Sequence, residues 1–196
     1  MFIQTEDTPN PATLKFLPGR DVLGDARPRE FPNLELAEAS PLAARIFTVD
    51  GVKSVFLGAD FVTVTKWEEV DWAAMKAPVL AAIMDHFVSG APVLADAAAG
   101  EAPADGATGA ADYEGEDAEI VEQILELLDT RVRPAVAQDG GDIIFHRYEP
   151  GDGIVFLTMR GACAGCPSST MTLKAGIENM LKHYIPEVTR VEAVGL

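Results

Sequence analysis

The sequence predicts an α+β protein of two small domains joined by a flexible linker. Three observations carry that prediction. Residues 95–112, ADAAAGEAPADGATGAAD, hold nine alanines, three glycines, one proline and four acids, with no large apolar side chain. Alanine favours helix, but Gly100, Pro103, Gly106 and Gly109 interrupt every run, so this stretch has nothing to pack. On both sides of it, short alternating runs and 3.6-residue apolar stripes occur together, as strands and amphipathic helices require. A chain of 196 residues with 48% hydrophobic side chains can also support two cores of about ninety residues each. The expected division is 1–94, a linker at 95–112, and 113–196. A coil of that length spans about 23 Å on average.

In the first domain, short strands are expected at residues 2–4 and 14–17, around the turn Thr8-Pro9-Asn10-Pro11. Residues 42–47 form a short helix, with Ser40 as N-cap and Pro41 in the first turn. Residues 52–57 and 61–66 read as a hairpin closed by Gly58-Ala59-Asp60. A longer helix runs from Asp71 to about Ser89, bent near Pro78 and stopped by Gly90. Its inner stripe is Val79, Leu80, Ile83, Met84 and Phe87. No catalytic constellation stands out in this domain.

The second domain opens with a helix over about 117–133. Ile120, Val121, Ile124, Leu125, Leu128 and Val132 share one face, acids crowd its first turn, and Arg131 and Arg133 sit in its last. Pro134 marks its approaching end. Strands at 143–148 and 154–159 flank the turn Glu149-Pro150-Gly151-Asp152-Gly153. A second helix spans 167–184, with Leu173, Ile177, Met180, Leu181 and Tyr184 inward, Pro186 ends it, and a last strand covers 188–194. The order α-β-β-α-β implies a small mixed sheet with helices on one side.

Composition narrows the function. The formal charge of −16 repels phosphates, so neither nucleic acid nor an anionic membrane is expected as a partner. No apolar stretch approaches the ~20 residues that span a bilayer. Met1 to Asp7 lacks the basic character of a signal or transit peptide, which makes a cytoplasmic protein the expectation. Two cysteines argue against a disulfide scaffold and for a reducing compartment.

Those two cysteines, Cys163 and Cys166, are the most informative residues. They form one Cys-x-x-Cys followed by Pro167, between a predicted strand and a predicted helix. One chain therefore offers two thiolates at one point, half of a four-thiolate metal site. With Pro167 as the first helical residue, Cys166 is the N-cap, and its sulfur faces the free N–H groups of Ser168 and Ser169. A helix terminus favours thiolate by about 0.3–1 kcal/mol, or ~2 kcal/mol in a sheltered geometry, which can lower a thiol pKa by roughly a unit. The residues alone leave four readings open: a pair of small buried side chains, a thiol–disulfide redox pair, a zinc site completed elsewhere, and a metal centre shared by two chains.

A longer pattern is more specific. Arg133-Pro134, Asp139-Gly140-Gly141-Asp142, Gly161-Ala162-Cys163-Ala164-Gly165-Cys166-Pro167-Ser168-Ser169 and Thr172-Leu173-Lys174-Ala175-Gly176-Ile177-Glu178 together resemble the C-terminal domain of NifU. The opening, residues 2–11 with Lys15-Phe16, is similar to the N-terminal domain of Nfu proteins. The resemblance covers nearly all of the chain except the linker. It implies an iron–sulfur cluster scaffold and carrier rather than an enzyme. Cys163 and Cys166 would be the cluster and metal ligands, and two chains would hold one [4Fe–4S] cluster as a homodimer. The same thiols could also hold a [2Fe–2S] cluster. Partners implied are apo iron–sulfur client proteins and an upstream cluster donor. The rival from another class is a thiol–disulfide oxidoreductase. Against it, the second domain lacks the βαβ start expected before a thioredoxin-like motif.

Other residues are set aside. Asp139-Gly140-Gly141-Asp142 has too few carboxylates for calcium and reads as a turn into a strand. His86, at the edge of its helix's stripe, and His146, in a strand, read as surface or packing residues. His183 lies seventeen residues along the helix from Cys166, about 25 Å away, too far to be a ligand within one chain. Trp67 and Trp72 are assigned to packing.

Overall fold

The computed structural model describes residues 2–95, 109–164 and 167–194, with only the backbone of 167–169. Two compact units divide between Pro103 and Ala104. Residues 96–108 of the expected linker lie outside the described residues. Its described ends are attached to the units. The Ala95 N–H donates to the Ala39 carbonyl at 3.0 Å, and Ala110–Asp112 form a 3-10 turn that packs Ala110 on the second core.

In the first unit, β1 (Gln4–Asp7), β2 (Thr13–Leu17), β3 (Arg29–Phe31), β4 (Val52–Leu57) and β5 (Val62–Lys66) form one sheet. The order is β1-β2-β5-β4-β3, and each neighbouring pair is antiparallel. Leu14 and Phe16, Val55 and Leu57, and Val62 and Val64 alternate onto one face. That face is buried in one core with residues of α2 (Pro41–Phe47) and α3 (Trp72–Ser89), among them Leu42, Ile46, Val79 and Ile83. Ser40 caps α2, its Oγ accepting the Ala43 N–H at 3.1 Å and donating to the Val93 carbonyl at 2.6 Å. Asp71 caps α3, and Gly90 ends it at φ 70°, where a side chain would be strained.

Four expectations change here. The first strand starts at Gln4 rather than residue 2, because its ladder with β2 begins there. Strand β3 and the four-residue α1 (Leu34–Ala37) were not foreseen; a three-residue strand has no readable period and forms only by pairing with β4. On α3, Met84, expected inward, is 41% exposed, while His86, read as a surface or packing residue, is fully buried. The buried face is Met75, Val79, Ala82, Ile83 and His86, centred about one residue away from the expected stripe. Trp67 is half exposed under Lys53, while Trp72 does pack, against Phe16.

The second unit carries β6 (Gly141–Glu149), β7 (Ile154–Gly161) and β8 (Arg190–Val194) in that order. Strands β6 and β7 are antiparallel; β7 and β8 are parallel and joined through α6 (Pro167–Tyr184). The mixed sheet and the element order are those expected. Ahead of it, α4 (Glu116–Leu127) passes through a π turn at Leu128–Val132 into α5 (Arg133–Gln138). Pro134 thus does not end the helix. It sits in the first turn of α5, where its missing N–H costs least. Ile124, Leu128, Val132 and Val136 are all buried at a strict spacing of four. An α-helix would rotate such a series off one face, and the wider π turn compensates for part of that drift. Tyr184, expected inward, is 46% exposed beneath the Arg131 guanidinium. No described helix is long and apolar enough to cross a membrane.

Candidate functional site

The cysteine loop is built where β7 gives way to α6. Gly161 closes the strand at φ 61°, and the Ala164 N–H returns to its carbonyl at 3.1 Å. Gly161 stands opposite Gly141 in the register, and the Ala162 N–H donates to the Gly140 carbonyl at 3.1 Å. The loop is thereby strapped to the start of β6, so Asp139-Gly140-Gly141-Asp142 is a turn leading into a strand, as expected. The Thr170 hydroxyl of α6 donates to the Cys163 carbonyl at 3.1 Å, which ties the loop's other side.

Cys163 points inward at 6% exposure and packs in the core of this unit. A Cβ on Gly141 would sit 2.5 Å from its Sγ and 2.7 Å from the Arg160 carbonyl oxygen. Only glycine leaves room for the sulfur there. Cys166 and Gly165 lie outside the described residues, and so does the expected N-cap geometry; α6 does begin at Pro167.

Beside the loop, Arg133 grips Asp142 with both ends of its fork, Nε to Oδ1 at 2.9 Å and Nη2 to Oδ2 at 3.0 Å. Its Nη1 also reaches Asp129 at 3.0 Å. The Asp142 side chain is 5% exposed and that of Arg133 32%. The hydrogen bonds that Arg133 donates to Asp142 are the main reason the guanidinium holds its proton even more firmly than usual. Sequence reading placed Arg133 at a helix end and Asp142 in a turn, and both in the pattern that resembles NifU, but did not pair them. The spacing of four could have signalled Asp129 with Arg133. Nothing local signals Asp142, which meets Arg133 only through the fold.

The thiol at Cys163 is pushed up from 9.0 to about 12, first by burial and then by the carboxylates of Asp139 and Asp142. At neutral pH it is protonated. The expected lowering by a helix terminus applied to Cys166; at Cys163 the direction is the opposite. A buried sulfur facing two acids is a poor place for bare thiolate and a better one for thiolate bound to a cation, whose charge replaces the proton. The stability consequence has a definite sign. The folded thiol keeps its proton above the unfolded value, so its contribution is complete below about pH 9 and is lost as pH rises towards 12. We predict that the metal-free protein loses up to about 1.4 kcal/mol per pH unit across that window from this group. Urea denaturation at pH 8 and pH 10.5 checks it: the loss is smaller in Cys163→Ala, and equal losses would contradict the assignment.

His86 and His183 take no part. His86 is buried in the first unit, beside Phe87, while His183 is exposed against Tyr184. Among the described residues no three His, Cys, Asp or Glu side chains group as a metal site.

The family model for the scaffold protein Nfu/NifU N-terminal domain matches residues 3–90, and that for the NifU-like domain matches residues 124–192. The chain is 55% identical over 196 residues to the NFU1 iron-sulfur cluster scaffold homolog, mitochondrial, of Drosophila erecta, and 54% identical to that of Drosophila sechellia. In both cases the match covers 99% of this chain and 65% of the relative, so the chain spans less than two thirds of their length. The solution NMR structure of a NifU-like protein from Saccharomyces cerevisiae is similar at 29% identity and a TM-score of 0.45, over 49% of this chain and 86% of that one. One expectation is corrected. A cytoplasmic protein was expected from the composition of residues 1–7, whereas these relatives are named mitochondrial. The first residues of a chain that spans 65% of its relatives carry no information about compartment.

Proposed function

We infer the function from one premise: this chain belongs to the Nfu family of iron–sulfur cluster scaffold proteins, with both the Nfu N-terminal domain and the NifU-like domain. On that premise, Cys163 and Cys166 of two chains together hold one [4Fe–4S] cluster and hand it to apo-proteins. The observation that carries this reading is the sulfur count. The chain has two cysteines, and a cubane cluster takes four thiolates. Two chains supply four.

The cluster is cargo, and the site supports its release as well as its capture. When an iron–sulfur bond to Cys163 breaks, a client thiolate forms the replacing bond, and the proton that the client thiol gave up can end on Cys163. A thiol pushed up to about 12 holds that proton firmly at neutral pH. Reprotonation therefore competes with iron for this sulfur, which favours transfer over permanent storage. The rival redox reading requires a nucleophilic thiolate; the buried, protonated Cys163 does not provide one, which leaves that role to Cys166.

The division of labour follows from where the ligands lie. We assign residues 113–196 to cluster binding, residues 1–94 to contact with clients or a donor, and residues 95–112 to the tether that raises their effective concentration. Tyr113 belongs to the second unit, its hydroxyl accepting from the Tyr148 N–H at 2.7 Å and donating to the Tyr148 carbonyl at 3.0 Å. Replacing Cys163 and Cys166 together with alanine is expected to abolish cluster retention while the far-ultraviolet dichroism stays that of the parent. Full iron content in the double variant would sink the ligand assignment. A chain lacking residues 1–94 is expected to load iron normally yet deliver it more slowly to some clients, and identical rates for every client would remove the targeting role.

A further inference from the structure

Resting on the shared-cluster reading above, we propose that the carboxylate of Asp139 loosens the chain's hold on its cluster and so sets how readily the cargo is handed over. The fold brings this residue to the site. Asp139 ends α5, its N–H donating to the Val136 carbonyl at 3.1 Å, and the chain turns from it into β6. The next residue, Gly140, accepts the Ala162 N–H at 3.1 Å, and a Cβ on Gly141 would lie 2.5 Å from the Cys163 sulfur. The turn that carries Asp139 is therefore the wall against which Cys163 packs. After burial itself, the Asp139 carboxylate acts on that sulfur most, ahead of Asp142.

Two acids face the sulfur, and only one is neutralised. Asp142 is buried and gripped by both ends of the Arg133 fork. Asp139 is exposed, and no cation among the described residues pairs with it. It also sits where a helix tolerates an acid least. The last carbonyls of α5 turn their partial negative charge towards it, and α5 has no basic residue in its last turn. An unpaired acid at the wrong end of a helix breaks a local rule with no gain in stability, and such breaches gather at functional positions.

The cargo supplies the consequence. Iron cations cancel part of the thiolate charge, but a cubane held by four thiolates stays an anion. A fixed negative charge beside it raises the energy of the bound state and leaves the departed state untouched. Under two-fold symmetry one Asp139 from each chain acts on the same cluster. In this role Asp139 ligates nothing: it tunes the site through its charge alone.

The test removes the charge and keeps the shape. Anaerobically reconstituted Asp139→Asn is expected to lose its cluster to an excess of iron chelator about threefold more slowly than the parent. Its cluster is also expected to show a more positive midpoint potential, a change that a merely structural role would not produce. Asp139→Glu, which keeps the charge, is expected to stay close to the parent in both. The control is Asp152→Asn, which removes the same charge from an exposed position in the turn at the far end of the β6–β7 hairpin, and it is expected to match the parent. The metal-free Asp139→Asn chain is expected to unfold in urea at the parent's midpoint or slightly above it. Parent-like release and potential in Asp139→Asn overturn the inference while leaving the shared cluster standing. An equal effect in Asp152→Asn also overturns it, because net charge rather than placement then decides. A parent that loads no cluster through Cys163 and Cys166 overturns this inference together with the reading beneath it.

Discussion

Replacing Arg133 with methionine is expected to destabilise the C-terminal unit by about 3 kcal/mol. Asp142 is buried at 5% side-chain exposure, and both its oxygens are held by the Arg133 fork. Removing the guanidinium strands a carboxylate in the interior, the situation in which a broken buried pair costs about 3–5 kcal/mol. The lower end applies because Arg133 keeps 32% of its side chain in water and its own charge is partly solvated already. In a unit of this size each kcal/mol moves the thermal midpoint by about 4–8 °C. Replacing both residues, Arg133→Met with Asp142→Leu, is expected to recover most of the loss, since an apolar pair of similar volume is often neutral where a broken ion pair is not. Urea denaturation of the metal-free protein measures all three chains. If the single variant unfolds at the parent's midpoint, Arg133 and Asp142 do not stabilise the site.

Adding one methyl group at Gly141 is the second large effect. The new carbon would lie 2.5 Å from the Cys163 sulfur and 2.7 Å from the Arg160 carbonyl. The sulfur could rotate away, but the carbonyl belongs to β7, and moving it disturbs the ladder opposite Asp142. Overpacking of this kind costs about 1–3 kcal/mol, and relief by moving Cys163 takes a proposed ligand from its place. Gly141→Ala is therefore expected to lower both stability and cluster retention. Gly151→Ala, where the added carbon meets nothing within 4 Å, is expected to change neither by more than about 0.5 kcal/mol. Parent-like retention in Gly141→Ala would show that the contact with Cys163 has no bearing on the cluster.

Most of the architecture was legible because its signals are local. Ser40 before Pro41, Asp71 and Gly90 around the long helix, and Pro167 at the head of α6 each act within a few residues, and the structure uses them as expected. What escaped depends on contacts between distant segments. Strand β3 is three residues long and takes its identity from β4. The helix through Pro134 survives because a π turn precedes it, an irregularity with no composition of its own. At the site, the cysteine pair and its position between strand and helix could be read directly. The burial of Cys163, its contact with Gly141 and the Arg133–Asp142 clamp could not, because each depends on segments at least nine residues apart in the chain. Met84 shows the same limit: it was placed on the inner stripe, and the packing of α3 leaves it 41% exposed.

The central claim is that two chains share one cluster. Its most direct measurement combines iron and sulfide content per chain with sedimentation, on anaerobically reconstituted protein before and after chelation. The account predicts about two irons and two sulfides per chain, one cubane for each pair of chains, in a dimer that falls to monomers as the iron is removed. A monomer carrying a full [4Fe–4S] cluster, or a dimer that persists unchanged without iron, would contradict it.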